Sequence, residues 1–141
     1  PHAMRMSAIN WLDQNRLALL LAVLEKHLKY PMHRCDVFVS LAGGIKIFEP
    51  ALDMGIMLSI ASSYLNRIID PETVVIGEVG LGGEVRSVPR IETRIKEAIH
   101  MQFKRCLIPS RNLQGLSKNL QKQIDIRAVE RIGEAIDILI N

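Results

Sequence analysis

The chain has 141 residues, of which 48% are hydrophobic and 23% are charged, and its net charge is +3. This length is enough for one domain with a proper core and too short for two ordinary ones. No apolar run reaches the ~20 residues that a bilayer-spanning helix needs, and none resembles a secretory signal, so we expect a soluble, non-secreted protein. Neither Cys35 nor Cys106 has partners at metal-ligand spacing, and both are predicted to be buried thiols.

The first four residues, PHAM, are typical of the remnant of a purification tag. We therefore exclude residues 1–6 and expect a single domain over 7–141, as a fragment of a longer protein. Leucines at helical spacing predict a first helix in DQNRLALLLAVLEKHLKY, and the runs CDVFVS and AGGIKIF predict two strands. The segment from Pro50 to about Asn66 is apolar on most sides, which is typical of a central, buried helix.

The second half alternates between strands and helices. The run TVVIGEVGLGGEVRSV predicts a hairpin that turns at GLGG, and IETRIKEAIHMQ predicts an amphipathic helix. After it, FKRCLIP and IDIRAV predict strands, separated by a short helical connection in SRNLQGL, and ERIGEAIDILI predicts a last helix with Ile132, Ile136 and Leu139 facing inward. This order predicts an α/β fold with a mixed sheet and packed helices.

Glycine, histidine, serine and acidic residues, which form catalytic or ligand-binding sites in many proteins, are present here but not at the spacing that such sites need. The glycine-rich GEVGLGGEV lies between two strands, whereas a phosphate cradle needs a strand followed by a helix. The histidines are scattered, and no serine is presented at a strained turn. Asp53 lies in the first turn of the predicted Pro50–Asn66 helix, where an acid interacts favourably with the helix dipole.

Long parts of the chain resemble the C-terminal domain of bacterial-type RadA (Sms) recombination proteins. The resemblance runs from about Asn15 to the C-terminus and is strongest in NRLALLLAVLEKH, DVFVSLAGGIKIFEPALDMGIMLSIASS, VVIGEVGLGGEVRSVPRIETRIKEA and FKRCLIPSRN. It implies a fold similar to the Lon protease domain, which is also described as ribosomal S5 domain 2-like. Lon proteases use a serine-lysine dyad, in which the lysine takes the proton of the serine.

When the Lon pattern is aligned with this chain, the serine of the Lon dyad corresponds to Asp53 and the lysine of the dyad corresponds to Glu92. An acid-acid pair cannot acylate by that mechanism, so the resemblance implies that this domain is not a peptidase. A peptidase with an unrecognised nucleophile is the enzymatic alternative, and loss of cleavage on substitution of Asp53 or Ser59 would identify it.

The resemblance also implies what lies elsewhere in the parent protein. RadA-like proteins carry a four-cysteine zinc module and a RecA-like ATPase, and they act as ring-shaped motors on branched DNA. This chain has no GxxxxGK[ST], CxxC or KNRFG motif, so ATP, Mg and Zn are expected in missing N-terminal parts and no cofactor is expected here. The implied partners are DNA, further copies in a hexameric ring and a recombinase, with no membrane; the implied compartment is the bacterial cytoplasm or an organelle.

Basic residues are concentrated in one stretch of the chain. Between Glu84 and Arg111 there are seven basic residues against three acidic ones. If the fold brings them together, they form a surface suited to sequence-independent contact with DNA phosphates; the candidates are Lys46, Arg86, Arg90, Arg94, Lys104 and Arg105, with Arg111 beside them. A solvated charged face is the alternative, which would leave a structural oligomerisation platform without DNA affinity. The six aromatic residues are not interleaved with this stretch, so base stacking is not expected.

Overall fold

A computed structural model describes residues 11–28 and 49–140, and the side chains within the first helix from residue 16 to 27. The chain divides into two compact units with the boundary after Glu49, and each is described by itself. In the first unit, helix α1 spans Trp11–Leu28. Its leucines at positions 17, 20, 21 and 24 are fully buried, which confirms the predicted helix and its apolar face. The predicted strands CDVFVS and AGGIKIF lie outside the described residues, as do Cys35 and Lys46.

The second unit contains the strands and the other described helices. A 3₁₀ turn at Pro50–Leu52 leads into helix α2. The helices are α2 (Asp53–Leu65), α3 (Ile91–His100), α4 (Lys118–Gln123) and α5 (Ile132–Leu139), and the strands are β1 (Thr73–Val75), β2 (Glu78–Val79), β3 (Val85–Arg86), β4 (Arg105–Pro109) and β5 (Asp125–Val129). A second 3₁₀ turn, Ser110–Asn112, follows β4. Helix α4, a short polar segment with one buried residue, Leu120, was not predicted.

Among residues 49–140 the strands form a small parallel sheet and a two-stranded antiparallel hairpin, which confirms the predicted α/β class. The parallel sheet has the order β1-β4-β5, and β2 pairs with β3 in antiparallel register. The predicted first strand of the hairpin is divided. Its start, β1, pairs with β4 through Val74 and Cys106, and only the two residues of β2 pair with β3.

Helices cover both faces of the parallel sheet. On one face, Cys106 and Ile108 of β4 pack in a buried cluster with Ile95 of α3 and Leu120 of α4. Successive residues of a strand point to opposite faces, so Leu107, which is fully buried, points to the other face. Helices α2 and α5 contact each other and contact the sheet. The predicted inward residues of the last helix are all buried, as predicted.

Gly77 occupies a position with little space for a side chain, between α2 and the hairpin. A Cβ added there would lie 3.0 Å from Met54 Cε and 3.1 Å from Val85 Cγ1. We expect Gly77→Ala to lower the free energy of unfolding by about 1 kcal/mol, because the added methyl group must displace the stiff, β-branched side chain of Val85 as well as the end of Met54. Gly55→Ala, inside α2, is the matched control: its Cβ would meet Val75 O at 3.6 Å, an ordinary contact. This control should gain up to about 1 kcal/mol from the better helix propensity of alanine.

Urea unfolding of the two alanine variants beside the wild type measures both changes. A Gly77→Ala variant as stable as the wild type would contradict the tight packing described at this position.

Candidate functional site

Asp53 is a buried structural acid that joins helix α2 to the hairpin. Its side chain is 1% exposed, and its Oδ2 accepts a hydrogen bond from the backbone N–H of Val79 at 3.0 Å. The next residue strengthens the same junction, because Met54 N–H donates to the carbonyl of Gly77 at 3.0 Å. The sequence explained this acid by the helix dipole alone; the hydrogen bond across 26 positions of the chain could not be read from the local pattern.

Glu92, the position matched to the Lon lysine, has a different environment. It is exposed in the first turn of α3, and its Oε1 accepts from the backbone N–H of Ser117 at 3.4 Å. Ser59, the alternative nucleophile, donates its hydroxyl to the carbonyl of Gly55 at 2.9 Å within its own helix. In the contacts described, the side chains of Asp53, Glu92 and Ser59 are each bonded to a backbone atom.

Arg86 is exposed at the end of the hairpin but forms an ion pair. Its Nη2 lies 3.1 Å from Glu84 Oε2, and both side chains are about half exposed. The pKa of the Glu84 carboxyl is lowered by hydrogen bonding to its own backbone N–H and then to Arg86, so the acid is ionised at neutral pH. An approaching phosphate would therefore compete with Glu84 for this guanidinium.

Arg90 and Arg94 lie at the start of α3. Arg90 is the N-cap residue and has a left-handed backbone, with φ of 57°, a conformation that costs a non-glycine residue about 1 kcal/mol. Arg94 donates from Nε to the carbonyl of Pro89 at 3.0 Å. Asn112 fixes the approach to this helix, because its side chain bonds both the N–H and the carbonyl of Val88, at 2.9 and 3.0 Å. These two hydrogen bonds hold the start of α3 beside the 3₁₀ turn Ser110–Asn112, which follows β4.

A cleft of about 800 Å³ lies at the carboxyl ends of β4 and β5, against the hairpin. It is lined by equal numbers of arginines and glutamates, with two serines: Arg86, Arg111, Arg131, Glu78, Glu84, Glu130, Ser87 and Ser110. Arg131 was not among the predicted residues, since it lies twenty positions after Arg111 in the sequence. Its guanidinium donates to the carbonyl of Gly82 in the hairpin turn.

Lys104 and Arg105 lie at the opposite end of β4 from this cleft. Arg105 is the first residue of β4, and its guanidinium lies 3.8 Å from Asp70 Oδ2 and 3.7 Å from Asp125 Oδ2. The pKa of the Asp70 carboxyl is lowered, first by the backbone N–H of Glu72, then by the Thr73 hydroxyl, and in part by Arg105. The structure thus places these two basic residues at the end of β4 opposite to Arg86 and Arg111.

Two further properties concern residues 11–28 and 49–140 only. Within these ranges no group of three or more histidine, cysteine or acidic side chains could hold a metal ion. None of the helices described there is long and apolar enough to cross a membrane.

The sequence was compared with known proteins. The family model described as subunit ChlI of Mg-chelatase matches residues 14–112. The DNA repair protein RadA of Chlamydia muridarum is 48% identical over 127 residues, that of Bacillus subtilis 46% over 125, and that of Pseudomonas aeruginosa 44% over 128. The matches cover 90%, 89% and 91% of this chain but only 28%, 27% and 28% of these relatives. The chain therefore belongs to the ChlI family and is homologous to a segment of RadA DNA repair proteins.

Proposed function

We propose that this domain is a non-proteolytic, Lon-like part of a RadA-type DNA repair protein, where it contacts the DNA backbone and contributes to assembly of a ring. The observation that carries the DNA role is the placement of Arg90 and Arg111. Both are exposed, and no carboxylate among residues 11–28 and 49–140 pairs with either guanidinium. The Asn112 clamp on Val88 brings their two segments together. Unpaired arginines are available to phosphate oxygens without loss of an existing ion pair.

The proposal that the domain is not a peptidase rests on Asp53. The position matched to the Lon serine holds a buried acid whose oxygen is already bonded to the Val79 N–H. Glu92, at the lysine position, is exposed and bonded to the N–H of Ser117, and position 53 has no hydroxyl whose proton it could take. Cleavage of an unfolded protein substrate by the purified chain, lost on Asp53→Asn or Ser59→Ala, would contradict this part of the proposal.

The parent protein would supply the remaining activities. We propose that ATP, Mg and Zn are bound by other segments of that protein, and that DNA, further copies of the chain and a recombinase are its partners. These proposals rest on the likeness to RadA proteins, of which the chain spans about 28%.

Removal of the two guanidiniums tests the DNA contact. We expect Arg90→Gly combined with Arg111→Ala to weaken binding to duplexes of different sequence by the same factor. The slope of log affinity against log salt should fall in magnitude by about 2, since each phosphate contact releases about one counterion. Glycine adopts the φ of Arg90 without strain, so this substitution should leave the fold intact.

The matched control is Arg67→Ala, which removes one exposed arginine from the connection between α2 and β1. Its salt slope should equal that of the wild type, and its affinity should fall only slightly and by the same factor for every duplex. Binding that is unchanged in the double variant would overturn the proposed contact. A wild-type chain that self-associates but shows no salt-dependent binding would instead support the structural platform, which the balanced charges of the cleft also favour.

A further inference from the structure

The carboxylate of Glu84 lies against the backbone of the hairpin turn. The turn is closed by its own backbone, since the N–H of Gly83 donates to the carbonyl of Gly80 at 3.0 Å and the N–H of Gly80 donates to the carbonyl of Glu84 at 2.9 Å. The Glu84 side chain folds back over this turn, because a Cβ added to Gly80 would clash with its carboxyl carbon and both oxygens. The carboxylate therefore occupies a cradle that exists only because position 80 carries no side chain.

The donors around this carboxylate form an oxyanion site. Its Oε1 accepts from the N–H of Gly82 at 3.0 Å, and its Oε2 accepts from Nη2 of Arg86 at 3.1 Å. A hydrogen bond from the N–H of Glu84 itself is the largest of the effects that lower the pKa of this carboxyl. Two backbone N–H groups and a guanidinium thus point at one anionic group, and proteins bind phosphate and carboxylate groups with donor sets of this kind.

The oxyanion site is accessible from the cleft. The side chains of Arg86 and Glu84 are 54% and 41% exposed, and both line the cleft. Ion pairs as exposed as this one are weak, so an external anion can displace the carboxylate at a small cost in free energy. Arg131, which donates to the carbonyl of Gly82, lines the cleft as well. A phosphate has more oxygens than a carboxylate, so it also offers acceptors to this second guanidinium.

We propose that the hairpin turn is a phosphate-binding site and that the Glu84 carboxylate competes with external phosphate groups for the donors of Gly82 and Arg86. The group that fills the site in the structure is an anion, which indicates the charge of the ligand whatever the net charge of the cleft. Free phosphate and the DNA backbone present the same chemical group. Binding of DNA at this site rests on the proposed function, whereas binding of free phosphate does not.

A titration with inorganic phosphate, followed through the amide NMR signal of Gly82, tests the site. We expect Glu84→Ala to bind phosphate about fivefold more tightly than the wild type, a factor that corresponds to the loss of one exposed ion pair. Addition of Arg86→Ala to this variant should abolish the gain. Chloride at the same ionic strength should not reproduce the shift of the Gly82 signal.

The matched control is Glu130→Ala. It removes the same charge from the same cleft, but Glu130 contacts the hairpin through its backbone carbonyl, which accepts from the N–H of Val85 at 2.8 Å. Its phosphate affinity should equal that of the wild type. A second variant, Glu84→Gln, guards against loosening of the turn by alanine. Its amide oxygen can still accept from Gly82 while the charge is lost, so phosphate affinity should again increase.

Binding of duplex DNA distinguishes the two sources of phosphate. If the site takes the DNA backbone, Glu84→Ala should increase the magnitude of the salt slope by about 1, and Glu130→Ala should leave it unchanged. A gain for inorganic phosphate without this change in slope would assign the site to free phosphate. Absence of DNA binding by every variant would overturn the proposed function, while the phosphate titration would still decide the present inference.

Two results of the phosphate titration would overturn the site at the turn. The first is equal phosphate affinity of the wild type, Glu84→Ala and Glu84→Gln, which would show that the carboxylate has a structural role only. The second is an equal gain in Glu130→Ala, which would show a general effect of the charge of the cleft.

Discussion

Replacement of Asp53 by alanine is expected to lower the free energy of unfolding by about 2 kcal/mol, because it leaves the N–H of Val79 buried without its acceptor. The loss should exceed that of a typical surface substitution, which stays within about 0.5 kcal/mol. The change also removes one of the hydrogen bonds that join the start of α2 to the hairpin. Equilibrium unfolding in urea, followed by circular dichroism, gives the free energy of each variant.

The matched variant is Asp53→Asn. Its amide oxygen can still accept the hydrogen bond from Val79 while the negative charge is removed, so it separates the role of the acceptor from that of the charge. If the hydrogen bond to the hairpin dominates, Asp53→Asn should retain most of the stability that Asp53→Ala loses. Equal losses in the two variants would show that the charge at the start of the helix matters more than the bond to Val79, as the sequence alone suggested.

A second large effect is expected at alkaline pH from Cys106. This residue is fully buried in β4, and burial raises the pKa of its thiol from 9.0 to about 12. Below pH 9 the thiol is protonated in both the folded and the unfolded chain, so it contributes no pH dependence. Between pH 9 and 12 the unfolded chain loses this proton while the folded chain keeps it, so stability should fall by about 1.4 kcal/mol per pH unit.

Comparison with Cys106→Ala isolates this contribution from the other effects of alkaline pH. The alanine variant is less stable than the wild type because the substitution leaves a cavity. Above pH 9, however, its free energy of unfolding should fall less steeply than that of the wild type, by about 1.4 kcal/mol per pH unit. An independent measurement is alkylation of the thiol, mapped by mass spectrometry, which should occur at Cys106 only after unfolding. Rapid alkylation of Cys106 in the folded protein at pH 8 would contradict its burial.

Helices with a clear apolar face could be predicted from the sequence, and the structure confirms them. The spacing of Ile95 and Ala98 in α3 and of Ile132 and Ile136 in α5 follows the helical period, and these side chains are buried. Helix α4 was missed because KNLQKQ has only Leu120 as an apolar residue. Its one local signal is Ser117, whose hydroxyl oxygen accepts from the N–H of Leu120 as an N-cap.

Pairing between distant segments was harder to predict than the segments themselves. Apart from Thr73 and Glu78 the run TVVIGEV is apolar or small, so its pattern does not show that β1 joins the parallel sheet while Glu78 and Val79 pair with β3. The same limit applies to the candidate site. Arg105 was grouped with Arg86 because the two are close in the sequence, although Arg105 lies at the end of β4 that is far from the hairpin. Arg131 was left out because it is distant in the sequence, although it lies at the start of α5 and contacts the hairpin turn.

The position of the hairpin in the chain has a practical consequence. Strands β1 and β4 are neighbours in a parallel sheet, so the hairpin and α3 are together the connection that returns the chain from one strand to the other. The two strands of the hairpin pair with each other, and the hairpin is also bonded to the segment after β5, because Glu84 bridges Arg131 and the N–H of Val85 donates to the carbonyl of Glu130 at 2.8 Å. An epitope or peptide inserted into this turn should therefore lower the stability of the start of α5, because Arg131 and Ile132 donate to the carbonyls of Gly82 and Gly83.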